Sequence, residues 1–246
     1  MPTLPITPEQ LAVALLLATI GSVIQGAVGF GLAVISAPIL LLLYPQSIFV
    51  PGPLLLAAMM LTILIAHRER SSVAVREVGI GTVGRVLGML PAAYAVSVLD
   101  ERYYHVLFAI LILLGVMLSI SGWHLRPTPG NLLAASTLSG FTGTISSVGG
   151  PPLALVYQHE EGRRIRGTMS AIFTVGTVIS LAGLAAAGKF HQNELLLGLA
   201  LAPAVVIGFI VSGYTTRYID GPLTRPVLLI ASALSAAAIL VRALWF

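Results

Sequence analysis

The sequence predicts an all-α polytopic membrane protein made of two inverted repeats, each a broken or re-entrant helix hairpin plus three transmembrane helices. Three observations predict it. The chain is 57% hydrophobic and only 9% charged, against about 25% charged in soluble domains, and a soluble fold of 246 residues could not bury so much apolar surface. Apolar runs reach the roughly 18 residues that read as a spanning helix and recur along the whole chain. Two of these runs, in corresponding places, are interrupted by glycine and proline. The short alternating segments of a membrane β-barrel do not occur in the sequence.

The apolar runs fall at 9–44, 48–66, 78–98, 103–122, 131–157, 168–187, 193–213 and 226–244. The N-terminal "MPTLPITPEQ" has no Lys or Arg, so it lacks the basic start of a cleaved signal peptide and the first run is expected to stay. As one helix, Glu9 to Leu43 would measure about 52 Å at 1.5 Å per residue. That exceeds a hydrocarbon core of about 30 Å, so Gly26, Gly29 and Gly31 mark a break. Pro51, Gly52 and Pro53 kink or start the second run. The stretch Trp123 to Asn131 holds two prolines and a glycine and reads as a linker, 123–130, between a first repeat at 1–122 and a second at 131–246. Together the repeats form one transport domain.

The second repeat echoes the first. "GAVGFGLAVISAPIL" from Gly26 lies over "GFTGTISSVGGPPLA" from Gly140, matching Gly29 to Gly143 and Pro38 to Pro152. "GMLPAAYAVSVLD" from Gly88 lies over "GFIVSGYTTRYID" from Gly208, matching Tyr94 to Tyr214 and Asp100 to Asp220. The six-residue shift between the two matches is absorbed by the longer loop around "EEGRRI".

If each broken run returns to the side it entered, each repeat crosses an odd number of times and the second is inverted. With the N-terminus outside, Arg68, Arg70, Arg76, Arg126, Arg163, Arg164, Arg166, Arg217 and Arg225 then lie inside. Arg102, Lys189 and Arg242 lie outside. That is nine against three with Arg85 set aside, whereas eight simple spans would give six against six. The excess of positive charge on cytoplasmic loops favours the hairpins. It also reads the net charge of +4 as membrane topology rather than as a nucleic-acid surface.

Non-helical backbone at membrane depth is tolerated only inside protein or beside a water-filled cavity, and paired breaks in inverted halves point to a transport site near the midplane. Helices restart near Gly31 and Pro151, because proline suits a first turn. A restarted helix offers free N–H groups and the positive end of its dipole to an anion. The candidate binding residues are therefore Gln25, Gly26, Gly29, Phe30, Gly31, Ser36 and Pro38 from the first break. Thr142, Gly143, Ser146, Ser147, Gly149, Gly150, Pro151 and Pro152 come from the second, and Thr144 could add a hydroxyl. The small residues have a plainer reading too, as close helix packing.

All nine acids lie at segment ends or in loops, and a cation or proton pathway usually needs an acid inside the membrane. That tilts the substrate toward anions. Arg85 is the one basic residue well inside a span. It reads either as a counter-charge for the substrate or as a side chain whose stem snorkels to the cytoplasmic end. Its counterpart in the second repeat is Val205. Ser170, Thr174 and Thr177 share one helix face, which lines a pathway or bonds to backbone. Thr174 joins the candidates. The five histidines lie near loops or interfaces without metal-ligand spacing, and cysteine is absent. No metal and no cofactor is called for. No enzyme is called for either, because Ser146 and Ser147 have no histidine near in sequence to act as base.

These residues resemble the TauE/SafE family of sulfite-exporter-like bacterial membrane transporters. The resemblance rests on "GAVGFGLAVISAPIL", "GFTGTISSVGGPPLALVY", "RIRGTMS" and "GFIVSGYTTRYID" and covers nearly the whole chain. It implies export of a small sulfur-containing anion, sulfite or an organosulfonate such as sulfoacetate, across a bacterial inner membrane. It implies that the substrate meets Gly26, Gly29, Gly31 and Pro38 with Gly149, Gly150, Pro151 and Pro152. Phe30 and Ser36 stand where the family commonly has further glycine, which alters the pocket. The expected partners are the small anion and the lipid bilayer, with a homo-oligomer left open. The alternatives are a proton-coupled carrier of another small metabolite and a non-transporting membrane scaffold.

Overall fold

The computed structural model describes residues 6–44, 48–121, 125–219 and 224–245. Among these residues there are α-helices and no strand. The first half comprises α1 (Pro8–Val28), α2 (Leu32–Leu43), α3 (Gly52–Arg68), α4 (Val75–Val98) and α5 (Glu101–Ile120). The second comprises α6 (Pro129–Ser146), α7 (Gly150–Tyr157), α8 (Gly162–Ala186), α9 (Gln192–Ala200), α10 (Ala202–Ile219) and α11 (Thr224–Trp245). Five helical stretches are long and apolar enough to cross a membrane: α1, α4, α5, α8 and the combined Gln192–Thr215. The all-α polytopic reading stands on these. The expectations placed on Trp123, His124 and Asp220, and on the side chains of Arg217 and Arg225, lie outside the described residues.

Both halves open on Thr-Pro. Thr7 accepts from the Gln10 amide at 3.3 Å while the Gln10 side chain accepts from the Thr7 amide at 3.0 Å, a reciprocal cap. Thr128 accepts from the Asn131 amide at 3.3 Å. Pro8 and Pro129 then occupy the first helical position, where no N–H is needed. The second half thus begins its first helix inside the stretch read as linker.

Both broken runs are hairpins of unequal arms. At 1.5 Å per residue α1 measures about 31 Å and α6 about 27 Å, but α2 only about 18 Å and α7 about 12 Å. The arm α1 is long and apolar enough to cross the bilayer, and the short arms α2 and α7 are not. The 193–213 run differs from expectation, since it divides at Leu201. Pro203 cannot donate to the carbonyl four residues back, and the Leu201 amide bonds Gly198 instead at 3.2 Å.

The two halves pack alike. In the first hairpin α1 packs on α10, and in the second α6 packs on α4. The short arms follow suit, α2 on α11 and α7 on α5, while α3 faces α8 across the centre. Matched glycines do matched work. At Gly88 a Cβ would strike the α6 backbone at Thr137 and Phe141, and at Gly208 one would strike the α1 backbone at Thr19. Bare glycine lets each helix pair approach this closely. Outward-facing Leu16, Leu90, Ile120 and Val211 are left for lipid.

Candidate functional site

The first break is a turn that glycine allows. Gly29 has φ 102° and Gly31 has φ 153°, values that side-chain-bearing residues rarely adopt. The Gln25 side chain, 5% exposed, bridges the gap by accepting from the Leu32 amide at 3.0 Å. The last α1 carbonyls are met by cations: Arg68 donates to Gly26 O at 2.6 Å and Arg166 to Ala27 O at 3.3 Å. The second break uses neutral groups. Ser147 takes the left-handed conformation at φ 64°, and Ser139 donates to Gly149 O at 2.6 Å. Ser146 Oγ accepts from the Val148 amide at 3.2 Å, and Tyr104 donates to Ile145 O at 2.8 Å. These partners supply, within protein, what unwound backbone cannot get from lipid. Helix α7 then restarts with Pro151 and Pro152 in its first turn.

The breaks meet, with Phe30 lying against Gly150 so closely that a Cβ there would come within 2.7 Å of it. Between them is a cavity of about 40 Å³. Gln25, Phe30 and Gly31 line it from the first break, and Gly143, Ser147, Gly149 and Gly150 from the second. Leu55, Ala58 and Thr62 on α3 face Phe173 and Thr177 on α8 across it. Arg85 reaches in from α4.

Arg85 is 2% exposed. The snorkelling reading is therefore corrected: the side chain does not reach a surface but threads between α6 and α8 to the second break. Glycines make the passage. A Cβ at Gly176 would sit on Arg85 Nε, and one at Gly149 would come within 2.8 Å of Nη1. The Arg85 hydrogen bonds both run from Nη1 to Ser139, to its carbonyl and its Oγ at 3.1 Å each. The guanidinium lies 5.6 Å from the Phe173 ring centre. Nε has no partner, and no described carboxylate forms an ion pair with it. A guanidinium has five N–H donors, and buried charges are ordinarily paired. Arg85 is a buried cation with most of its donors unspent.

One end of the bundle is tied by ions. Glu69, 6% exposed, receives Arg68 at 3.4 Å, Arg163 at 3.6 Å and Arg166 at 3.2 Å. Arg164 bridges Glu77 and Glu160, and Tyr157 donates to Glu77 at 2.8 Å. Arg102 lies beyond the far end of α4 and donates to Ala243 O at 2.8 Å.

The family model for the sulfite exporter TauE/SafE matches residues 13–239. The chain belongs to the TauE/SafE family. No curated protein and no solved structure matches it. The match takes in both breaks and Arg85, and the five membrane-capable helices agree with a family of membrane transporters.

In this TauE/SafE chain the cavity gathers Gln25, Phe30, Gly31, Arg85, Gly143, Ser147, Gly149 and Gly150 from the sequence candidates. The other candidates support the breaks without lining the cavity. Gly26 packs on Ser212 and Gly29 makes the turn. Ser36 donates to Leu17 O at 3.1 Å, holding the hairpin arms together. Pro38 leaves Val34 O without its helical donor, and Ser232 of α11 supplies one at 2.6 Å. Thr142 turns to Ser139 O at 3.5 Å and Ser146 donates to Thr142 O at 2.8 Å. Pro151 lies on Gly115, and Pro152 is buried in α7. Thr174 donates to Thr62 Oγ1 at 3.0 Å, one step behind the lining, and is bonded to Ser170 O at 2.9 Å. Sequence reasoning missed Ser139, Thr62 and Phe173. Phe173 was findable, four residues before Thr177 on the face already singled out. Ser139 and Thr62 had no signal.

Proposed function

We propose that this TauE/SafE protein carries a small sulfur-containing anion, sulfite or an organosulfonate, out of the cell across the bacterial inner membrane, and that the cavity between the breaks is its binding site. The observation that carries this reading is Arg85, a buried guanidinium without an anionic partner, lining a cavity to which both breaks contribute. A buried cation kept without its anion costs stability, and an anion in transit relieves that cost. The cavity, about 40 Å³, has room for roughly three water-sized centres, which suits a compact head group of a sulfur and its oxygens. Gln25 and Thr177 can add neutral hydrogen bonds around it, whereas the hydroxyls of Thr62 and Ser147 already donate to Met59 O and Pro51 O.

In this reading the halves are inverted and the N-terminus is periplasmic, so that the Glu69 ion cluster faces the cytoplasm. The exchangeable packing of the halves and the arginine-rich end of the bundle support it. A monoanion leaving an inside-negative cell gains about 2.3 kcal/mol per 100 mV, so export needs no coupled ion.

The test is sulfite efflux from vesicles containing the purified protein, with Gly150→Leu as the control that drives a side chain into Phe30 and the cavity. Efflux in the native protein that Gly150→Leu loses while still folded is the expected result. Equal efflux in both would overturn the cavity as the route.

A further inference from the structure

We infer that the cavity selects singly charged anions over doubly charged ones of the same shape, with Arg85 as the residue that sets the count; this rests on the reading of the cavity as the anion site. Among the residues that line it, Arg85 is the only charged or titratable one. The elements packed around Arg85 add no second charge at that depth. Helix α6 carries no charged residue. On α4 the other charged residues are Arg76 and Glu77, in its first turn. On α8 they are Arg163, Arg164 and Arg166, at its start, engaged with Glu69, Glu77 and Glu160.

The helix ends do not change the sum. The start of α2 and the start of α7 present positive dipole ends, but each follows the negative end of the helix before it, α1 or α6. At each break the two partial charges oppose one another, and at the first the α1 carbonyls also hold Arg68 and Arg166, which share Glu69 behind the cavity wall. That leaves Arg85 as the one charge lining a small, partly enclosed space.

A monoanion neutralises that charge. A dianion leaves one negative charge buried without a partner, and in low dielectric such a charge is strongly disfavoured. Sulfite would accordingly enter as hydrogensulfite, and organosulfonates with a single charge would be accepted. Sulfate would be excluded by charge although its shape fits.

Equilibrium binding to the purified full-length protein tests this with two probes of nearly equal size and tetrahedral shape, methanesulfonate with one charge and sulfate with two. Methanesulfonate should bind at least about tenfold more tightly, the smallest ratio that a buried unpaired charge should impose. Sulfite should weaken about tenfold per pH unit above its second ionisation, as hydrogensulfite is depleted. Arg85→Lys keeps one positive charge and should keep the preference at lower affinity, since a point charge replaces the planar fork. Sulfate binding as tightly as methanesulfonate, with both lost in Arg85→Gln, would overturn the charge count and leave the site standing. Binding of neither probe, nor of sulfite at any pH, or binding that Arg85→Gln leaves unchanged, would overturn the site and the inference with it.

Discussion

The two breaks solve one backbone problem with different chemistry. At the first, two glycines with positive φ make the turn, and Arg68 and Arg166, held by Glu69, cover the exposed carbonyls. At the second, a left-handed Ser147, two prolines and the hydroxyls of Ser139, Ser146 and Tyr104 do the same work without a charge at the carbonyls. Arg85, buried and with no carboxylate partner among the described residues, lies at the second break. Its counterpart beside the first hairpin is Val205, fully buried on α10. What recurs here is shape: hairpins of unequal arms, glycines at close helix contacts and like packing partners. What does not recur is charge: Arg85 lines the cavity from one side and Val205 stands in the matching place.

The strongest way to break this comparison is to move the charge. Arg85→Gln should weaken anion binding about 30-fold or more, because truncating one member of a buried charge pair costs about 2–5 kcal/mol; titration calorimetry reads it. Without ligand, Arg85→Met should raise the unfolding temperature, since apolar replacement of a buried ion often stabilises by about 1–4 kcal/mol. Val205→Arg should do the reverse and abolish folded protein on size exclusion, since no Gly176 stands ready to house the new guanidinium. If Val205→Arg folds and binds anions as a second Arg85, the asymmetry is not functional.

The next largest effect separates the caps. Glu69→Gln leaves Arg68, Arg163 and Arg166 around a neutral side chain and should cost about 3 kcal/mol. Proteolysis or hydrogen exchange should place the loosening at the first break, with the second unaffected. Gly88→Ala and Gly208→Ala sharpen the likeness of the halves instead. Each forces a methyl into a neighbouring helix backbone and should cost about 1–3 kcal/mol, with similar losses of thermal stability in both. Tyr104→Phe is the smallest, about 1 kcal/mol for one hydrogen bond to Ile145 O, and should loosen only the second break.

The sequence made some of this legible and hid the rest for physical reasons. Glycine and proline report backbone geometry directly, so a break among Gly26, Gly29 and Gly31 and a second before a restart near Pro151 could be read from one chain, and the structure starts that helix at Gly150. Charges confined to loops gave away the membrane class. The position of the Arg85 guanidinium was not legible, because whether a long side chain points to a surface or inward depends on what the neighbouring helices leave open. Here Gly176 on α8, almost a hundred residues away, decides it. Ser139 and Thr62 were hidden for the same reason, being ordinary helical residues until α7 and α8 are folded against them. Pro38 and Ser36 were read as binding residues because they sit in the motif, but a motif that shapes a break also contains the residues that brace it.

In the proposed function an anion lies beside Arg85 between the breaks. The most direct measurement is a structure of the protein soaked with selenite, an electron-dense analogue of sulfite, located by its anomalous signal. A selenium peak in the cavity within hydrogen-bond reach of the Arg85 guanidinium, absent in Arg85→Gln, is the predicted result. A peak elsewhere, or an empty cavity in protein that still transports sulfite, would contradict it.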